Sequence, residues 1–95
     1  MAAYLIADIE ILDAAAYEPY KAAVPPIIQK HGGEYIVRGG ACAALEGDWK
    51  PARLVVFRFP SMEALRAFHE DPEYKPWKEL RQSVSRGSLL AVEGL

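Results

Sequence analysis

Three segments of this chain are apolar at successive positions: Tyr4-Leu5-Ile6-Ala7, Leu54-Val55-Val56-Phe57 and Leu89-Leu90-Ala91-Val92. Each is too short and too rich in branched and aromatic residues to be a core helix, so each is predicted to be a strand. Successive side chains of a strand point to opposite faces. A sheet made of these runs is therefore apolar on both sides. Helices from the same chain can blanket one side, and the other must be covered from elsewhere or left wet at high cost.

The rest of the chain supplies the helices. Residues 3–11 form the first strand. Asp13 can cap a helix from Ala14 by accepting free N–H groups of its first turn. Tyr17, Tyr20, Val24, Ile27 and Ile28 recur along that helix at helical spacing. Pro25-Pro26 is predicted to break or kink it, and His31-Gly32-Gly33 to end it. A second strand runs from Glu34 to Val37. Gly39-Gly40 predicts a bulge or bend, with extended chain resuming over residues 41–46. A loop over 47–51 leads to a third strand, 53–59. Ser61 can cap the next helix, whose buried face carries Met62, Leu65 and Phe68. Asp71-Pro72 is predicted to restart the helix as cap and first residue. Tyr74, Trp77, Leu80, Arg81 and Val84 share one face of that piece. Gly87 is predicted to end it, and 88–93 is the fourth strand.

The order β-α-β-β-α-β implies one α+β domain over residues 1–95, a four-stranded antiparallel sheet with the helices on a single face. Its uncovered face predicts a homodimer, two sheets packed across a two-fold axis. The alternative is a monomer with a sticky outer face.

Charge narrows the partners. Eleven Lys and Arg stand against thirteen Asp and Glu, a formal net charge of -2, and the charges are interspersed. No basic stripe exists to neutralise phosphates, so a nucleic-acid partner is not expected. The single cysteine, Cys42, excludes an internal disulfide and suits a reducing cytoplasm. The opening segment has no basic region, and Asp8 and Glu10 interrupt it. It is expected to be neither a signal peptide nor a membrane span.

The chain also resembles a known family. The resemblance is carried by Tyr4-Leu5-Ile6, Tyr17 and Tyr20, Gly32-Gly33, Arg38-Gly39-Gly40 and Glu46-Gly47-Asp48-Trp49. It continues through Phe59-Pro60-Ser61, Asp71-Pro72-Glu73-Tyr74, Leu80-Arg81 and Val92-Glu93-Gly94. In order and spacing these are similar to the bacterial domain of unknown function thirteen-thirty, of the dimeric α/β-barrel superfamily. The resemblance implies a ferredoxin-like dimer. It implies less about activity, because the superfamily holds cofactor-free monooxygenases, an isomerase, haem enzymes and ligand-binding proteins. At position 69, where that pattern commonly has tyrosine, this chain has His69.

Candidate chemistry rests on few residues. Arg38 lies beside two glycines that leave room for a ligand, and its guanidinium could hold a carboxylate or enolate oxygen. It could equally pair with Glu46 or Glu93 at a subunit interface. Tyr17 and Tyr20 are one helix turn apart and could line a cleft or simply fill the core. Trp49, Tyr74 and Trp77 are further candidates for ligand contact. His31 and His69 are the only side chains expected to titrate near neutrality. His31 suits a helix end, and His69 is the candidate catalytic partner of Arg38. No metal-ligand spacing, nucleophile elbow, phosphate loop or dinucleotide fingerprint is present, and no metal or cofactor is expected. Two readings follow. One is a cofactor-independent enzyme, monooxygenase- or isomerase-like, acting on a small organic metabolite between helices and sheet. The other is a non-catalytic binding or structural homodimer.

Overall fold

The computed structural model describes residues 1–95. Its elements are β1 (Ala3–Ile11), α1 (Ala14–Lys30), β2 (Glu34–Arg38), β3 (Leu54–Phe59), α2 (Met62–His69), α3 (Lys75–Val84) and β4 (Ser85–Glu93). The strands form one sheet in the order β2-β3-β1-β4, with every neighbouring pair antiparallel. This is the ferredoxin-like α+β arrangement, its second helical segment divided into α2 and α3. No helix is long and apolar enough to cross a membrane.

One face of the sheet is covered. Ala3, Leu5, Ala7 and Ile9 of β1 are buried at alternate positions. Ala3 and Leu5 join Phe59, Val24, Ile27 and Ile28 of α1, and Leu65 and Phe68 of α2 in the main core. Phe59 is fully buried, a contribution of about 1.5–3 kcal/mol for a side chain of that size. A smaller core of Ala7, Ile9 and Val55 lies further along the same face. The opposite face is open. Leu90 is 63 % exposed and Val92 44 %. Register places them opposite Ile6 and Tyr4, with Val56 and Arg58 across β1. Two ion pairs flank this apolar strip, Arg86–Glu10 at 2.7 Å and Arg58–Glu34 at 3.4 Å.

Four local expectations are corrected. First, α1 runs unbroken through Pro19, Pro25 and Pro26. The carbonyls that lose a donor belong to Ala15, Lys21 and Ala22, none of them buried, so water can satisfy them. Buried Tyr17, Val24, Ile27 and Ile28 hold the helix on the sheet. Second, residues 41–46 form no strand and are exposed. Gly39, at φ +72°, donates to Leu54 O and ends the ladder. The register shift lies earlier, between Tyr35 and Val37. Third, Asp71 opens a turn rather than α3: its Oδ1 accepts from Glu73 N at 2.8 Å, and the helix starts at Lys75. Fourth, α3 passes directly into β4 at Ser85, so Gly87 lies inside the strand. A Cβ on Gly87 would run into the backbone oxygen of Asp8.

Candidate functional site

A slot opens between the helices and the covered face, over the smaller core. Its floor is low because the sheet is built there from short side chains. Ala7 and Val55 pair across β1 and β3, and Ile9 faces Gly87, which has no side chain. The helices bridge this depression with longer groups: Tyr17 and Tyr20 from α1, Arg81 from α3, and Tyr74 just before α3. The slot is narrow, ≈ 40 Å³, room for about three water molecules.

The bulge at Ile36 sets the slot's edge. An unbroken strand would put Arg38 on the same face as Glu34, the open one. The extra residue turns Arg38 to the covered face alongside Tyr35. There the guanidinium lies over the Tyr35 ring, 4.3 Å from its centroid. Within the chain Arg38 forms no ion pair with Glu46, Glu93 or any other carboxylate.

The lining is aromatic and cationic. Tyr17 and Tyr20 have ring centroids 5.0 Å apart, and the hydroxyls of Tyr20 and Tyr74 share a 2.7 Å hydrogen bond. Lys21, Arg38, Arg53 and Arg81 all border the slot, and no Asp or Glu does. Lys21 pairs with Glu18 at 3.4 Å, but no ion pair involves Arg38, Arg53 or Arg81. Burial pushes the phenols of Tyr17 and Tyr35 up, and that of Tyr20 far up, with neighbouring Tyr74 adding to the Tyr20 shift. All three stay neutral near pH ~7. The slot is therefore positive in a chain whose net charge is -2. It offers phenolic and guanidinium donors and has no carboxylate or imidazole to act as a base.

The predicted site residues divide. Arg38, Tyr17, Tyr20 and Tyr74 all line the slot. His69 does not: it borders a separate polar cleft with Arg81, Ser85 and Arg86. Its imidazole is held below the usual value by burial, then by Lys78 and Arg81. Trp49 is 62 % exposed and donates to Asp8 Oδ2 at 3.1 Å, anchoring the loop after β2. Trp77 packs beside the main core, outside the slot. Arg53 and Arg81 were not singled out from sequence as site residues. For Arg81 a signal existed, a charged residue on the apolar stripe of α3 beside Tyr74 and Trp77.

A second polar cluster clamps the helices. Asp71 Oδ2 accepts from Lys30 Nζ at 2.9 Å and meets His31 Nε2 at 2.7 Å. His31, then Lys30 and the Glu73 amide, hold this carboxyl far below the ordinary range. His31 thus ties the end of α1 to the α2–α3 turn as well as sitting at a helix terminus. No group of three or more His, Cys, Asp or Glu residues is placed to hold a metal ion.

Comparison with known proteins places the fold. The sequence profile of the family described as Domain of unknown function (DUF1330) matches residues 2–95. No curated protein matches. A protein of unknown function from Rhodopseudomonas palustris, RPA0582, superposes with a TM-score of 0.75 at 21 % identity, over 99 % of this chain and 82 % of that one. SnoaB, a cofactor-independent oxygenase from Streptomyces nogalater, superposes with a TM-score of 0.67 at 11 % identity, over 99 % of this chain and 93 % of its own. An antibiotic biosynthesis monooxygenase gives 0.53 at 15 % identity, over 100 % and 99 %. At these identities the likeness is one of fold.

Proposed function

The chain belongs to the family of Domain of unknown function (DUF1330), and from that premise we propose that its slot receives a small organic acid. The observation that carries this reading is the lining: tyrosines on an apolar floor, four cationic side chains and no carboxylate. Such a site favours a flat apolar body bearing negative charge. The slot is narrower than such a ligand. Entry requires the lining to move, and Arg38, exposed, and Lys21, partly exposed, are the bordering cations freest to do so.

Conversion of that ligand would need no bound cofactor. Guanidinium and phenol donors stabilise charge developing on an enolate or carboxylate oxygen. The shared fold with a cofactor-independent oxygenase supports this version. The lack of a base in the slot favours a second one, a protein that binds an acid without transforming it.

The functional unit in this reading is a homodimer closed through the open sheet face. Leu90, Val92, Val37 and their neighbours supply an apolar strip, and the flanking Arg–Glu pairs supply a polar rim. Native mass spectrometry of freshly purified protein tests both parts. The reading predicts a dimer that carries, or takes up, an organic acid. At ten times its Kd such a ligand adds about 1.4 kcal/mol of stability, which raises Tm by several degrees. Uptake without turnover selects the binding version. A monomer that no aromatic acid stabilises contradicts the proposal.

A further inference from the structure

Where Arg81 borders the slot, hydrogen-bond donors outnumber the acceptors that receive them. Arg81 is 8 % exposed. Its Nε is the one buried side-chain nitrogen or oxygen without a hydrogen-bond partner. No carboxylate pairs with its guanidinium. Ser85 Oγ donates to the Arg81 backbone carbonyl, which fixes the helix end and leaves the side chain as it was. The hydroxyl oxygens of Tyr20 and Tyr74 face the guanidinium as acceptors and share one hydrogen bond with each other, and neither serves Arg81 Nε. In that pair one hydroxyl donates to the other, so one O–H remains over, and no protein acceptor takes it. A buried charge without a counter-ion and a buried donor without an acceptor are both costly, and native structures seldom leave them so. Their coincidence at one end of one slot describes the group that belongs there.

We propose that Arg81, with the Tyr20–Tyr74 hydroxyl pair, is a carboxylate subsite. One carboxylate oxygen accepts Arg81 Nε–H and the other accepts the spare tyrosine O–H. The ligand's apolar body lies over Ala7 and Val55, toward Arg38 at the mouth. The inference rests on the reading of the slot as an organic-acid site and goes further by naming the group and the atoms that hold it. A planar, two-oxygen acceptor matches a guanidinium edge and an adjacent hydroxyl. A phosphate is tetrahedral and lacks the flat apolar body that the floor of Ala7 and Val55 favours.

The test follows arginine Nε–H resonances of the 15N-labelled protein during titration with benzoate, its neutral isostere benzamide, and inorganic phosphate. Benzoate is expected to shift one buried arginine signal, absent in R81K, which keeps the charge and lacks the Nε–H. Benzamide is expected to bind about tenfold to a hundredfold more weakly, the range for a lost charge-assisted hydrogen bond. R81K should weaken benzoate by a similar factor, and Tyr20→Phe by about three- to tenfold. Benzoate binding with equal affinity to wild type and R81K would overturn the subsite and leave the slot reading standing. An equal Arg81 shift with phosphate would overturn the carboxylate assignment. Failure of both aromatic probes to bind would remove the slot reading and this inference together. The wild-type signal decides the matter even where a variant fails to fold.

Discussion

Asp71 and Arg81 lie on the same stretch of chain and are equally withdrawn from solvent, each 8 % exposed. Their surroundings are opposite. Asp71 receives Lys30 and His31, which pull the end of α1 onto the turn before α3, and the Glu73 amide, which closes that turn. Arg81 has no counter-ion, and its Nε has no partner at all. A buried charge with all its partners supplied by the protein serves the fold. One whose partners are missing is held for something that arrives later. The fold separates the two roles along one short segment, with the clamp beside the full core and the unpaired cation over the shallow one.

The comparison breaks most easily at the clamp. Asp71→Ala should lower the urea midpoint further than a substitution at Arg81 or His69, because Lys30 and His31 lose their shared acceptor. The same clamp fails in acid. The folded state holds the Asp71 carboxyl far below its unfolded value of about 3.9. The stability it contributes is present above about pH 4 and is lost as pH falls further. A urea midpoint that stays flat below pH ~4 would show that the clamp does not carry this load.

At Arg81 the effect on the empty protein is small. Arg81→Gln should leave its stability within about 1 kcal/mol of wild type, because the guanidinium has no carboxylate partner and gives up only its contacts with the Tyr20 and Tyr74 hydroxyls. A clear loss of stability would mean that Arg81 serves the fold as Asp71 does. The smallest effect is expected at His69, in the neighbouring cleft. Its folded pKa is lowered, so the neutral ring is the form the fold prefers. Stability should fall slightly as pH drops below about 6.5, and His69→Asn should flatten that slope.

Much of this fold was legible in the sequence. The apolar runs gave the strands and the open face, and Asp13 and Ser61 accept at the helix starts as expected from their side chains. The prolines of α1 misled because their cost depends on where the freed carbonyls point, which composition does not show. The bulge at Ile36 was invisible for a related reason. Ile36 and Val37 suit either face of a strand, so nothing in their chemistry marks the slip. That slip decides whether Arg38 reaches the slot. The tyrosines of the site were readable from helical spacing, since Tyr17 and Tyr20 share a face. The role of Arg81 was not, because an unpaired guanidinium is recognised only by the absence of partners in three dimensions. The Asp71 clamp was hidden likewise: Lys30 and His31 meet Asp71 only once α1 and the turn are packed.

A crystal structure of the protein grown with excess benzoate tests the central claim most directly. The predicted result is a carboxylate oxygen within hydrogen-bond distance of Arg81 Nε, the ring over Ala7 and Val55, and Arg38 moved from its place above Tyr35. An empty slot, with benzoate bound only to surface cations such as Arg58 or Arg66, would contradict it.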